Sequence, residues 1–155
     1  MEKLREAIRE RLKGAKKIAV LGIGSELRGD DAAGMLVAQK LKDIKIFLGG
    51  TAPENLTGEI KKYNPTHLVI IDSADFGEKP GAANIIEPED IRGTSFSTHR
   101  MPLKVMVEYL RSFLDCGIII IGIQPGSIEF GKPVSFEVKK SAQKIAGIIQ
   151  EICEQ

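Results

Sequence analysis

The chain predicts an α/β fold: a three-layer domain with a mostly parallel, twisted five-stranded sheet, one antiparallel edge strand, and helices on both faces. Three observations carry this. Continuous apolar runs at Ile18–Gly22, His67–Asp72 and Gly117–Ile123 read as strands covered on both faces. Segments with helical apolar spacing alternate with those runs, as in β-α-β units. At 155 residues the chain fits one domain, residues 1–155, able to bury roughly two-thirds of its unfolded surface.

Each element follows from its own pattern. Leu4, Ile8 and Leu12 recur at four-residue spacing, so residues 2–13 form an amphipathic helix ending near Gly14. The first strand, Ile18–Gly22, runs into a glycine turn and then two adjacent aspartates, Asp30 and Asp31. Ala32–Leu41 is a helix with Leu36, Val37 and Leu41 on its apolar side. Ile44–Leu48 is a short second strand stopped by Gly49 and Gly50, and Pro53 opens a helical segment ending near Lys62. His67–Asp72 is the third strand, with a carboxylate at its carboxyl end. Ala83–Ile86 is the fourth; only about ten residues precede it, too few for a helical crossover, so it runs antiparallel at an edge. Leu103, Met106, Val107, Leu110 and Phe113 mark a helix with Pro102 in its first turn, where a missing N–H is tolerated. Gly117–Ile123 is the fifth strand, and Val138, Ala142, Ile145, Ile149 and Ile152 give a long closing helix.

Bulk properties exclude several classes. A formal net charge of +1, from 22 basic and 21 acidic residues, gives no electrostatic case for nucleic acid or an anionic membrane. Trp is absent and aromatics are few, which argues against a base-stacking platform. No stretch approaches the roughly 18 apolar residues of a membrane span. The charged segment Met1–Lys17 lacks the apolar run of a signal peptide. Cys116 and Cys153, the only cysteines, have no CxxC spacing and read as thiols in a reducing cytoplasm rather than a disulfide framework or zinc site. A cytoplasmic monomer is the simplest expectation.

Gly22-Ile-Gly24 follows a strand, but Leu27 takes the third fingerprint position and no Gly-Lys-Ser/Thr follows, so dinucleotide and P-loop readings fail. Ser25, Ser73 and Ser97 are possible nucleophiles without a Gly-x-Ser-x-Gly elbow. The acids say more. Neighbouring parallel strands deliver their carboxyl ends to one edge, where open α/β sheets form ligand crevices, and Asp31 and Asp72 belong to two such ends. Helix capping is the alternative for Asp30 and Asp31, and a loop-amide hydrogen bond for Asp72. His99 lies in a polar loop, Thr94–Pro102, whereas His67 begins a strand and is peripheral. Asp31, Asp72 and His99 make an O,O,N set suited to a divalent transition metal such as nickel, zinc or iron. Asp75, just beyond Asp72, orients a ligand or caps a turn, and Asp30 is a second candidate for holding a neighbouring ligand in place.

Taken together, Gly-Ile-Gly-Ser-Glu-Leu-Arg-Gly-Asp-Asp-Ala-Ala-Gly, Gly-Gly-Thr-Ala-Pro-Glu-Asn, Val-Ile-Ile-Asp-Ser-Ala-Asp-Phe-Gly, Thr-His-Arg-Met-Pro-Leu and Gly-Ile-Gln-Pro resemble the hydrogenase maturation endopeptidases. The Pro-Glu-Asn and Gly-Ile-Gln-Pro elements are similar to the branch serving formate-hydrogenlyase-type hydrogenases. The resemblance spans roughly Ile18 to Ile149 and leaves the helix within residues 1–17 as an extension. Ser25 stands where the family usually has Asn, and Ala32 where it commonly has Gly. The resemblance implies an endopeptidase that removes the C-terminal extension of a nickel-loaded nickel–iron hydrogenase large-subunit precursor. It implies that Asp31, Asp72 and His99 are both the metal-binding and the catalytic residues, and that the nickel is carried by the precursor. A non-catalytic nickel-binding chaperone and a generic metal-dependent hydrolase are the alternatives on the same scaffold.

Overall fold

The computed structural model describes residues 1–93, 95–96 and 102–155. Its strands are β1 (Ile18–Ile23), β2 (Lys45–Gly50), β3 (His67–Asp75), β4 (Ala83–Ile86), β5 (Ser95–Phe96) and β6 (Gly117–Ile123). Its helices are α1 (Glu2–Arg11), α2 (Ala33–Gln39), α3 (Thr57–Tyr63), α4 (Leu103–Phe113) and α5 (Phe136–Cys153). The sheet order is β2-β1-β3-β6-β4. The β1–β2, β1–β3 and β3–β6 pairs are parallel, and β4 runs antiparallel to β6 at the edge, as its short connection requires.

Alternation of side chains along the central strands builds two separate cores. Val20, Val69, Ile71, Ile119 and Ile121 face one side, where Leu4 and Ile8 of α1, Val37 of α2 and Ile145 and Ile149 of α5 cover them. Ala19, Leu21, Leu68, Ile70, Ile118 and Ile120 face the other, under Ile60 of α3 and Met106 and Leu110 of α4. This two-sided burial is why the strands lack polar alternation. Arg11 pairs with Glu87 just past β4, and Arg5 with Glu151 of α5, so α1 is held by ion pairs as well as by its apolar stripe. Both pairs are partly exposed and secondary to the packing.

The structure departs from expectation in four places. β2 continues through Gly49 and Gly50; the register slips between Gly22 and Ile23, and Gly50, at φ 56°, accepts a 2.9 Å bond from the Gly24 N–H. Here glycine bends the strand and does not end it. The chain before α2 is a tight 3-10 turn, Gly29–Ala32, so the helix starts later. Pro102 is the N-cap of α4 and not within its first turn. A sixth, two-residue strand, β5, pairs antiparallel with the tail of β3 through Ala74–Phe96 and Asp75–Ser95.

Candidate active site

Two glycines bring the acids to the sheet edge. Gly24 directly follows β1 with φ 138°, and a Cβ built on it would lie 1.8 Å from the Asp31 carbonyl oxygen. A Cβ on Gly34 would lie 2.1 Å from the Ile71 carbonyl oxygen and 2.5 Å from that of Ile23. The 3-10 turn is thus folded against the end of β1, and the start of α2 is set directly on the ends of β1 and β3. Asp31 and Asp72 are delivered to the same carboxyl edge, 5% and 0% exposed.

Asp31 is held from both strands. Its Oδ2 accepts the Ser25 backbone N–H at 2.8 Å, and its Oδ1 accepts the Ser73 hydroxyl at 2.9 Å. Ser73 directly follows Asp72, so one buried hydrogen bond ties the two strand ends together. Helix capping does not explain the acidic pair: neither the 3-10 turn nor α2 has a side-chain cap.

Asp30 does something else. It is 1% exposed and accepts the Gly126 N–H at 2.7 Å, the Ser135 N–H at 2.6 Å and the Ser135 hydroxyl at 2.8 Å. Its own N–H donates to the Ser127 carbonyl at 2.9 Å. Ser135 is the N-cap of α5, its hydroxyl accepting from Val138 N–H. Asp30 therefore fastens the 126–135 loop and the head of α5 beside the acidic site.

Asp75 accepts the Gly77 N–H at 3.0 Å and the Gln124 side-chain amide at 3.1 Å; the first bond, with help from the second, holds its carboxyl below the usual carboxylate range. Gln124, nearly buried at the end of β6, also accepts the Phe76 and Glu78 N–H groups at 2.9 and 3.2 Å. It pins the turn that follows β3. In the sequence Gly-Ile-Gln-Pro is only a family mark, and the signal for Gln124 is an amide directly after an apolar strand.

His99 and Ser97 lie outside the described residues. Among the described residues no group of three His, Cys, Asp or Glu side chains could hold a metal ion. His67 sits at the opposite edge, at the amino end of β3, with Nδ1 3.1 Å from Thr66 Oγ1, in keeping with a peripheral role. A groove of about 610 Å³ lies elsewhere, between α1 and β4, lined by Leu4, Ala7, Asn84 and Ile85. It lacks convergent acids, so chemistry and not volume marks the site.

Cys116 and Cys153 are free and half-buried. Burial pushes the Cys116 thiol from its ordinary 9.0 up to about 11 and raises Cys153 as well. Folded Cys116 thus holds its proton where the unfolded thiol has lost it. Its contribution to stability is full below pH 9.0 and is lost as pH rises towards about 11. Iodoacetamide at pH 8 should modify Cys116 far more slowly than it does the urea-unfolded chain. Equal rates would contradict this protection.

The architecture is that of a small α/β protein with an acidic site at the carboxyl ends of adjacent parallel strands. The model of the hydrogenase maturation protease family matches residues 35–153. The hydrogenase 3 maturation protease of Escherichia coli K12 is 35% identical over 133 residues, covering 81% of this chain and 84% of that protein. The crystal structure of the NiFe hydrogenase maturation protease HycI from Thermococcus kodakarensis KOD1 superposes with a TM-score of 0.87 at 33% identity, over 96% of this chain and 99% of that one. The solution structure of the endopeptidase HycI from Escherichia coli gives 0.78 at 31%, over 88% and 90%. The chain belongs to the hydrogenase maturation protease family, and it is a peptidase.

Proposed function

We propose that this peptidase removes the C-terminal extension from the large-subunit precursor of a nickel–iron hydrogenase, and that nickel already seated in the precursor is what it recognises. The observation that carries the reading is the convergence of Asp31 and Asp72, buried on adjacent strand ends and linked through Ser73. Ionised carboxylates are acceptor-only groups, the donor type that a metal-bearing substrate requires, and the described bonds to Asp31 come from the Ser25 N–H and the Ser73 hydroxyl. The Ser25 N–H and Ser73 hydroxyl fix the direction of the Asp31 oxygens before substrate arrives. Asp31, Asp72 and His99 would complete the coordination of the precursor's nickel, which supplies polarisation of the scissile carbonyl or acidification of water. The reading places the enzyme in the cytoplasm as a monomer; no described helix is long and apolar enough to cross a membrane.

Intact-mass analysis of the precursor tests this. With nickel loaded, the enzyme should release one discrete C-terminal peptide; with the nickel-free precursor, none. Equal release from both forms would exclude nickel recognition. Nickel binding without release would favour a chaperone, and cleavage of unrelated peptides at the same rate a generic hydrolase.

A further inference from the structure

The three most exposed large hydrophobic side chains among the described residues all flank the acidic site: Phe136 at 73%, Phe130 at 70% and Leu27 at 65%. Ile128, also exposed, lies between them in the chain. Backbone bonds hold these segments together. The Gly131 N–H donates to the Leu27 carbonyl at 2.8 Å, and the Asp30 N–H to the Ser127 carbonyl at 2.9 Å. Asp30 binds Ser135 directly before Phe136, so the apolar side chains are carried on backbone locked to the turn that bears Asp31. Three part-buried hydrogen bonds to Asp30 hold a surface loop in one shape, and that loop presents apolar groups to water.

We propose that Leu27, Ile128, Phe130 and Phe136 form a docking surface for the folded body of the precursor, placing its scissile segment at Asp31 and Asp72. This rests on the function proposed above. Apolar side chains gathered at one place on a soluble protein mark interaction sites, and large aromatics are the residues that anchor them. Glu26, Arg28, Glu129 and Lys132 interleave with them in sequence, giving the charged rim that suits a transient partner. The position selects the occupant. A second copy of this chain seated here would lie against the carboxyl edge and obstruct it, whereas a substrate protein must reach that edge. Because Asp30 fixes the surface relative to Asp31, docking also sets the distance from the anchor to the scissile bond.

The test compares wild type, a Phe130→Ala/Phe136→Ala variant, and Phe113→Ala as a control. Phe113 is exposed at the far end of α4, where it contacts Tyr109 and Lys61, so its loss should leave KM unchanged. With nickel-loaded precursor as probe, the double variant should show KM raised about 30-fold or more with kcat at saturation nearly unchanged, consistent with loss of two interface anchors. Its circular dichroism and melting should match wild type, since both rings lie in solvent. An unaltered KM in the double variant, with wild type cleaving normally, overturns the docking surface alone. A wild-type dimer by sedimentation that the double variant abolishes would assign the patch to self-association and overturn it too. If wild type neither binds nor cleaves the precursor, the proposed function falls and the occupant with it.

Discussion

Asp31→Ala and Asp72→Ala should each lower peptide release from the nickel-loaded precursor by at least about 1,000-fold, the scale of several kcal/mol of lost transition-state stabilisation. Structural damage must be separated from lost chemistry. Removing the Asp31 carboxylate takes one acceptor from the part-buried Ser25 N–H and one from the buried Ser73 hydroxyl, and losing an acceptor in such a place costs up to about 1–3 kcal/mol. Relief of a buried charge offsets part of that, so the variant should remain folded with a lowered Tm. Asp31→Asn separates charge from geometry: its amide oxygen can accept the Ser25 N–H while its nitrogen donates to the Ser73 hydroxyl oxygen, so the charge is lost with both contacts kept. Ser73→Ala is the informative companion: it keeps both acids and deletes the bond to Asp31 Oδ1, so activity should fall about 10- to 100-fold, as when a ligand loses its orienting partner. Asp30→Asn should behave oppositely, lowering Tm through its loop while sparing the chemical step more than Asp31→Asn does. Rates from intact mass and melting by circular dichroism measure both. Wild-type rates from the Asp31 and Asp72 alanine variants would remove these residues from the site.

The sheet was legible because burial on both faces leaves unbroken apolar runs at β1, β3 and β6, and because too little chain precedes β4 for a crossover. The position of Asp72 was legible for the same reason: a carboxylate closing an apolar run in a parallel strand has only the ligand edge to occupy. The division of labour between Asp30 and Asp31 was not. The partners of Asp30, Gly126 and Ser135, come from the far end of the chain, and no local spacing encodes that meeting. Nor does a two-residue pairing such as β5 leave any period to read. Gly24 was visible as a turn former, whereas Gly34 was only one position of an expected helix; both exclude a methyl group between two backbones, which becomes visible only when both backbones are in place.

That exclusion leads to the second large effect. Gly34→Ala should destabilise the domain by more than about 3 kcal/mol, a substantial fraction of the roughly 5–15 kcal/mol available to a domain. The added methyl would meet the Ile71 and Ile23 carbonyl oxygens at 2.1 and 2.5 Å, and neither belongs to a side chain that can swing away. Both are backbone atoms of central strands, so α2 must lift and draw Ala33, Val37 and Ala38 out of the core. Gly24→Ala adds backbone strain at φ 138° to a 1.8 Å approach on the Asp31 carbonyl, so it should lose activity even in molecules that fold. Gly147 shows that the effect belongs to the site and not to the substitution. It is exposed within α5 with open space where a Cβ would go, and Gly147→Ala should stabilise by about 0.5–1 kcal/mol through helix propensity. Thermal melts should therefore move in opposite directions, Gly34→Ala down by about 10 °C or more and Gly147→Ala up by a few degrees. A Gly34→Ala protein melting with wild type would mean that α2 can step back from the strand ends freely, and the close backbone contact could not then be what sets the position of Asp31 beside Asp72.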